Sequence, residues 1–475
     1  MKKAIALISA IIISFCSFGQ ETPELKELEN ELIVIYDQDL LTPEFHAERR
    51  KQLRALMSEN SVAIFLANPV RNRSNDINFE YHQDPNFYYF TGLNEPHALV
   101  MVFKSPVTID GEEVEEIIFM QERDPDTEVW DGKRYGTKGA EFLLKLDMAK
   151  ENKEFHQLAL DLKQFDQIYV APLFDDIRDE SVDNGDLYSL KSKLESRLNK
   201  VDSKVKPGTL ELFCAELREK KTPEELKLMT IAIEITCKAQ MELMRAINPE
   251  MKEYQAEALV EYIFKHNGAE YPGFPSILGS GENSCILHYT TSRKPMMKND
   301  LLVCDIGAEY HGYTADVTRT LPANGKYSYE QATIYNIVLE AQQAGIDVSK
   351  AGNKFWDPNI AATTVLSQRM KELGIIRSAA ELRRYFMHGT SHYLGLDVHD
   401  VGRYGDLEEG QVITVEPGIY IPEGSPCDKK WWNIGVRIED DILITSGDPI
   451  NISSCAPRSI KEIEALMQEE SRFTD

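Results

Sequence analysis

The sequence predicts an α+β chain in two units, an α/β N-terminal domain over residues 20–205 and a mixed C-terminal domain over 206–475. Three observations lead there. Before about residue 195, short apolar runs rich in β-branched and aromatic residues alternate with amphipathic helical stretches, the pattern of helices layered on a sheet. Around 195–210, RLNKVDSKVKPGTL turns polar and ends in Pro-Gly, which marks a boundary. Beyond Tyr271 the chain changes to Gly-rich turns and β-branched strands, closed by an amphipathic helix in SIKEIEALMQEESRF.

The first element is a leader. MKKAIALISAIIISFCSFGQ has basic Lys2 and Lys3, an apolar core from Ala4 to Phe15, and small residues Ser17 and Gly19. It reads as a signal peptide over residues 1–19, so the protein is expected to be exported, to the periplasm or beyond. Its core is too short to span a bilayer, and no later segment has 18 uncharged apolar residues in a row, so no stable membrane insertion is expected. Cys16 follows Phe15 where a lipid-anchoring signal prefers a small residue. With 78 acidic against 52 basic residues, the net charge of −26 disfavours nucleic acid and anionic membrane partners.

In the N-terminal unit, Thr42 and Pro43 open a helix in TPEFHAERRKQLRALM, and the strand SVAIFLA follows. HALVMVF, EEIIFM and QIYVAPL read as further strands, and AEFLLKLDMAKENKEFHQLALDLKQF as helical. In the C-terminal unit, Thr222, Pro223 and Glu225 form a helix start with a capping box, and Leu226, Met229, Ile233 and Cys237 recur at helical spacing. Six cysteines remain after the leader, scattered and without a CxxC pair. They do not form a disulfide framework, and leave room for one bridge without saying which.

Chemistry enters at DIGAEYHGYTADVTRT, residues 305–320. Read as a hairpin turning at Tyr310 and His311, it sets Asp305 directly opposite Asp316. Like charges so placed repel unless something compensates, and a pair of shared cations would. Two more apolar strands carry an acid each, Glu416 in QVITVEPGIYI and Glu439 in GVRIEDDILIT, with Arg437 on the face of Glu439. Asp440 and Asp441 fit an exposed edge equally well. FMHGTSHYLGLDVHDVG holds His388, His392 and His399 within twelve residues, and His288 stands in LGSGENSCILHYT. Four carboxylates and one imidazole suit two divalent ions, manganese first with cobalt or zinc as rivals; such ions acidify a shared water and polarise a carbonyl.

Asp305, Asp316, His392, Glu416 and Glu439, in their motifs, closely resemble the five metal ligands of the pita-bread metallopeptidases. Within that superfamily the chain is most similar to the Xaa-Pro aminopeptidases, including FEYHQDPNFYYFTGLNEPHALV in the N-terminal domain. The resemblance implies a pita-bread catalytic domain in which Asp305 binds one metal, His392 and Glu416 the other or the bridge, and Asp316 and Glu439 bridge both. It also implies that Glu416 accepts a proton from the attacking water, that His288 and His399 contact the substrate carbonyl or developing charge, and that His388 lines the pocket. Tyr420 and Arg437 match residues that orient ligands and water. The implied substrate is a peptide with proline second, and the implied assembly a dimer or tetramer.

Rival expectations are an exported prolidase, to which the tail SSCAPRSIKEIEAL is similar, and a metal-free binding protein of the same fold. The filled ligand positions disfavour the latter, and with it the metal-free creatinase.

Overall fold

The computed structural model describes residues 37, 39–178 and 184–473. The leader expected over residues 1–19 lies outside them. In the N-terminal unit, helix α1 (Pro43–Leu56) starts where Thr42 accepts a hydrogen bond from the Phe45 amide and Pro43 takes the first turn. Strands β1 (Ser61–Leu66), β2 (Leu99–Ile109), β3 (Glu112–Met120), β4 (Met148–Glu151) and β5 (Gln167–Val170) form one mixed sheet in the order β4-β3-β2-β1-β5. β1 is antiparallel to β2 and parallel to β5, as a central strand covered on both faces.

Its continuous apolar sequence follows from that cover, because side chains alternate between two cores. Ala63 and Phe65 join one with Val100, Val102 and Ile118; Val62 and Ile64 join the other with Leu99, Met101 and Ile117. The expected helix at 140–165 is cut short: helix Gly136–Leu143 ends, Lys145 adopts φ 53°, and Met148–Glu151 becomes the edge strand. Parallel pairing with β3 there overrides helical propensity.

The first core does not stop at the sheet. Leu210 and Cys214 of α2 (Thr209–Arg218), Leu228 and Met229 of α3 (Pro223–Ala246), and Tyr313 and Leu394 all belong to it. The two units are therefore packed through shared apolar contacts. α3 carries the expected capping box between Thr222 and Glu225 and buries Met229, Ile233 and Cys237.

Beyond α3 and the helix Glu253–His266, short antiparallel sheets lie between that helix pair and a second pair, α4 (Tyr329–Val348) and α5 (Asp357–Glu372). The strands that matter are β6 (Ile277–Ser280), β7 (Leu301–Ile306), β8 (Val317–Pro322), β9 (Val412–Val415), β10 (Gly418–Ile421), β11 (Ile434–Arg437) and β12 (Asp440–Leu443). β7 is the centre of β8-β7-β6, β10 pairs with β11, and β9 with β12.

A disulfide joins Cys237 of α3 to Cys455, across 218 residues of sequence. Closing so long a loop contributes up to about 5 kcal/mol by restricting the unfolded chain.

Candidate metal centre

The 305–320 hairpin turns one residue later than the sequence reading placed it. Tyr310 pairs with Tyr313, so His311 and Gly312 are the two loop residues. Both have positive φ, 50° and 84°, as a type I′ turn requires. Asp305 consequently faces Thr318 and not Asp316. The arms also pinch at Gly307, where a Cβ would lie 1.8 Å from the Ala315 carbonyl oxygen, so only glycine fits. Thr318 and Asp316 are two apart and share a face, which keeps both acids on the same side of the ribbon.

The other ligand candidates arrive from strand ends. Glu416 follows β9, where Pro417 stops the ladder, and its amide donates to the Thr390 carbonyl at 2.8 Å. Glu439 lies between β11 and β12, its amide donating to the Thr318 carbonyl at 3.1 Å. His392 comes from the 386–400 loop, pinned by its amide on the Thr414 hydroxyl at 3.2 Å. His392 Nε2 stands 3.4 Å from Asp316 Oδ2, 3.6 Å from Glu416 Oε1 and 4.0 Å from Glu439 Oε1.

The proton on that imidazole is assigned by its partner. Nδ1 lies 2.9 Å from the Tyr393 carbonyl oxygen, which only accepts, so Nδ1 carries a hydrogen and the ring is held with Nε2 turned toward three carboxylates. A divalent cation among them would take Nε2 and the carboxylate oxygens as ligands; the backbone-held imidazole is the usual arrangement of a metal-ligating histidine. Donor atoms of Asp316, His392 and Glu439 all fall within 4.8 Å of one another. Asp305 Oδ1 and Asp316 Oδ1 are buried without a hydrogen-bond partner. This donor set fits divalent cations.

Electrostatics agree. Burial, then the charges of Asp305, Asp441 and Glu416, push the Asp316 carboxyl well above its ordinary range; burial, then Asp316 and Glu416, do the same to Glu439. Burial pushes Glu416 up to about 7 against the pull of His392 and Arg437. Against four carboxylates stands one guanidinium, Arg437, buried at 3 % exposure. It donates to Asp305 Oδ2 at 2.6 Å, to the Tyr420 hydroxyl at 2.8 Å and to the Leu287 carbonyl at 3.3 Å.

Tyr420 in turn lies 2.8 Å from His388 Nε2. Burial and the Arg437 charge hold His388 down at about 4, so it is a neutral ring at pH 7. His399 packs edge-on against His392 with ring centres 4.5 Å apart; burial, with His392 and His288 nearby, lowers it as well. The cavity enclosed has a volume of about 650 Å³. Nine of the ten site residues expected from sequence line it, and Tyr420 reaches it through His388 and Arg437.

Four supporting groups, Thr318, Arg319, Asp440 and Asp441, escaped the sequence reading. Thr318 donates to Glu439 Oε2 at 2.6 Å, and period-two spacing from Asp316 could have found it. Asp441 accepts from the Asp316 amide at 3.2 Å, and Asp440 pairs with Arg319 at 2.8 Å. Both acids are fully buried, which corrects the exposed-edge alternative: the neighbouring strand and Arg319 supply partners that the local sequence does not reveal.

Residues 227–446 match the model of metallopeptidase family M24, and residues 46–169 that of the aminopeptidase P N-terminal domain. The chain is 37 % identical over 438 residues to the Xaa-Pro aminopeptidase of Escherichia coli, covering 88 % of this chain and 96 % of that one. Among solved structures, Pseudomonas aeruginosa aminopeptidase PepP superposes with a TM-score of 0.81 at 33 % identity, covering 91 % of this chain and 99 % of its own. An Escherichia coli aminopeptidase P variant in complex with substrate superposes at 0.80 and 34 % identity, with 90 % and 99 % covered.

Proposed function

We propose, since this chain belongs to metallopeptidase family M24 and carries an aminopeptidase P N-terminal domain ahead of it, that it is a two-metal Xaa-Pro aminopeptidase. It removes the first residue of a peptide whose second residue is proline. The observation that carries this reading is His392 Nε2 held within 4.0 Å of three carboxylates, at the wall of a cavity large enough for a short peptide.

Asp305, Asp316, His392, Glu416 and Glu439 would hold the metals, with Asp316 and Glu439 shared. Two divalent ions supply an acidified water at neutral pH and a Lewis acid for the scissile carbonyl. Glu416 takes the proton of the attacking water. His388 stays neutral, and with Tyr420 and Arg437 it forms a hydrogen-bonded chain that fixes the orientation of Asp305. His288 and His399, on the cavity wall, donate to the substrate carbonyl and to charge developing on it.

The bond before proline lacks an N–H, so the ring must be recognised by shape. Phe274, Pro275, Ile277, Leu287, Val398 and Tyr404 line the same cavity and offer an apolar wall for it. Manganese is the ion we assign first, from four oxygen donors to one nitrogen, with cobalt and zinc as substitutes.

Export through the 1–19 leader is part of this reading, supported by the Cys237–Cys455 disulfide, which suits an oxidising compartment. Self-association as a dimer or tetramer is supported by Val129 and Trp130, 79 % and 86 % exposed on the N-terminal unit. The decisive assay is hydrolysis of an Ala-Pro-Ala tripeptide and an Ala-Pro dipeptide by chelated protein resupplied with manganese. Tripeptide cleavage is expected; cleavage of the dipeptide alone assigns a prolidase, and bound metal with no cleavage of either refutes the proposal.

A further inference from the structure

The Cys237–Cys455 disulfide touches no ligand, yet each end is built into the support of a different half of the ligand set. One turn along α3 from Cys237, the Gln240 amide donates to the Cys304 carbonyl at 3.0 Å and the Val317 carbonyl at 2.8 Å. Those carbonyls belong to the immediate neighbours of Asp305 and Asp316. The other end, Cys455, lies in the segment before the C-terminal helix Ile460–Leu466. There the Ala456 and Pro457 carbonyls accept from Arg319 at 2.7 and 2.9 Å, and the Ser453 hydroxyl donates to Asp440 at 2.7 Å. Arg319 passes this on: it donates to the Glu439 carbonyl at 2.7 Å.

We propose that the disulfide is a positioning element of the metal centre, clamping the Glu439 half of the ligand set against the Asp305–Asp316 half. The inference rests on the two-metal reading and deepens it. Without the bond, the Cys455 segment keeps its hydrogen bonds to Arg319, Asp440, Asp441 and Tyr335 but loses its covalent tie to α3, and its carbonyls can shift away from that guanidinium. Glu439 keeps its two bonds to Thr318 but loses the firm hold of Arg319 on its carbonyl, so its place relative to Asp316 loosens, and metal sites tolerate only about 0.5 Å of such drift. Loss of a supporting contact of this kind costs roughly 10- to 100-fold in metal affinity.

The experiment is a calorimetric titration of manganese into chelated full-length protein at 25 °C, with circular dichroism confirming the folded state. Three samples are compared: oxidised wild type, with the Cys237–Cys455 linkage verified by non-reduced peptide mapping; wild type purified with both thiols reduced; and the Cys237→Ala/Cys455→Ala variant. The expected result is 10- to 100-fold weaker manganese binding in the reduced protein and in the variant. Should the variant not fold, the reduced wild type carries the test alone. A lower melting temperature with manganese affinity within twofold of the oxidised protein overturns the proposal, since a general staple would behave that way. No manganese binding by the oxidised protein would instead bring down the two-metal reading on which this one stands.

Discussion

Arg437→Lys is the substitution that separates charge from geometry at this centre. The guanidinium is buried, and its two terminal nitrogens serve two acceptors at once, Tyr420 at 2.8 Å and Asp305 at 2.6 Å. A lysine ammonium keeps the positive charge but sits on a different stem and has no planar fork, so it cannot meet both partners in their present places. One charge-assisted hydrogen bond is lost, worth about 1.5–3 kcal/mol. That converts to a fall of roughly 10- to 150-fold, since each 1.4 kcal/mol is a factor of ten. If lysine keeps Asp305, His388 loses its orientation through Tyr420 and the fall appears in kcat. If it keeps Tyr420, Asp305 is freed and manganese affinity weakens instead. The assay is kcat and KM on a Xaa-Pro tripeptide at saturating manganese, alongside a manganese titration. Retention of kcat/KM and metal affinity within twofold would refute the argument that the fork, and not merely the charge, organises the site.

Two other perturbations have opposite signs of stability. Asp316→Asn relieves repulsion among buried carboxylates, so the chelated variant should melt a few degrees higher than chelated wild type while showing a smaller thermal shift than wild type on addition of a divalent metal, as differential scanning calorimetry would record. His311 lies between Glu270 and Asp39, 2.7 and 3.1 Å away; burial pulls its pKa down, but those acids hold it above the ordinary value. Its stabilising contribution is therefore complete below about pH 6.5 and lost as pH rises through the elevated folded value. Melting temperatures measured from pH 6 to 9 should decline more in wild type than in His311→Gln, and equal slopes would exclude the ion pairs as the cause.

How much of this was legible in the chain depended on range. Local rules worked where the cause was local: Thr42 and Thr222 cap helices through their own hydroxyls, and β1 is apolar throughout because both of its faces are covered. The hairpin was legible but its register was not, because choosing between Tyr310-His311 and His311-Gly312 turns on which pair tolerates positive φ; the glycine was the available clue. Met148–Glu151 looked helical because nothing in those residues announces the edge of β3 beside them. The site residues converge on one cavity because their motifs carry the chemistry itself. Their supports, Thr318, Arg319, Asp440 and Asp441, stayed hidden, since each is defined by a partner more than a hundred positions away.

Those supports have a common design that explains how the chain can gather four acids in a buried space. They hold the backbone beside each ligand and leave most carboxylate oxygens uncommitted. Gln240 holds the Cys304 and Val317 carbonyls, Arg319 the Thr318 and Glu439 carbonyls, and Asp441 the Asp316 amide. Thr390 does the same for Glu416 through its amide. If instead each acid were fixed by a salt bridge to its own side-chain oxygens, the ligand positions would be neutralised and a cation would have to displace a partner to enter. Here Asp305 gives one oxygen to Arg437 and Glu439 one to Thr318, while Asp305 Oδ1 keeps no hydrogen-bond partner among the described residues and Glu439 Oε1 lies 4.0 Å from His392 Nε2. The repulsion that remains among the acids is the free energy that a divalent cation recovers on binding, so affinity for metal and instability without it have one origin.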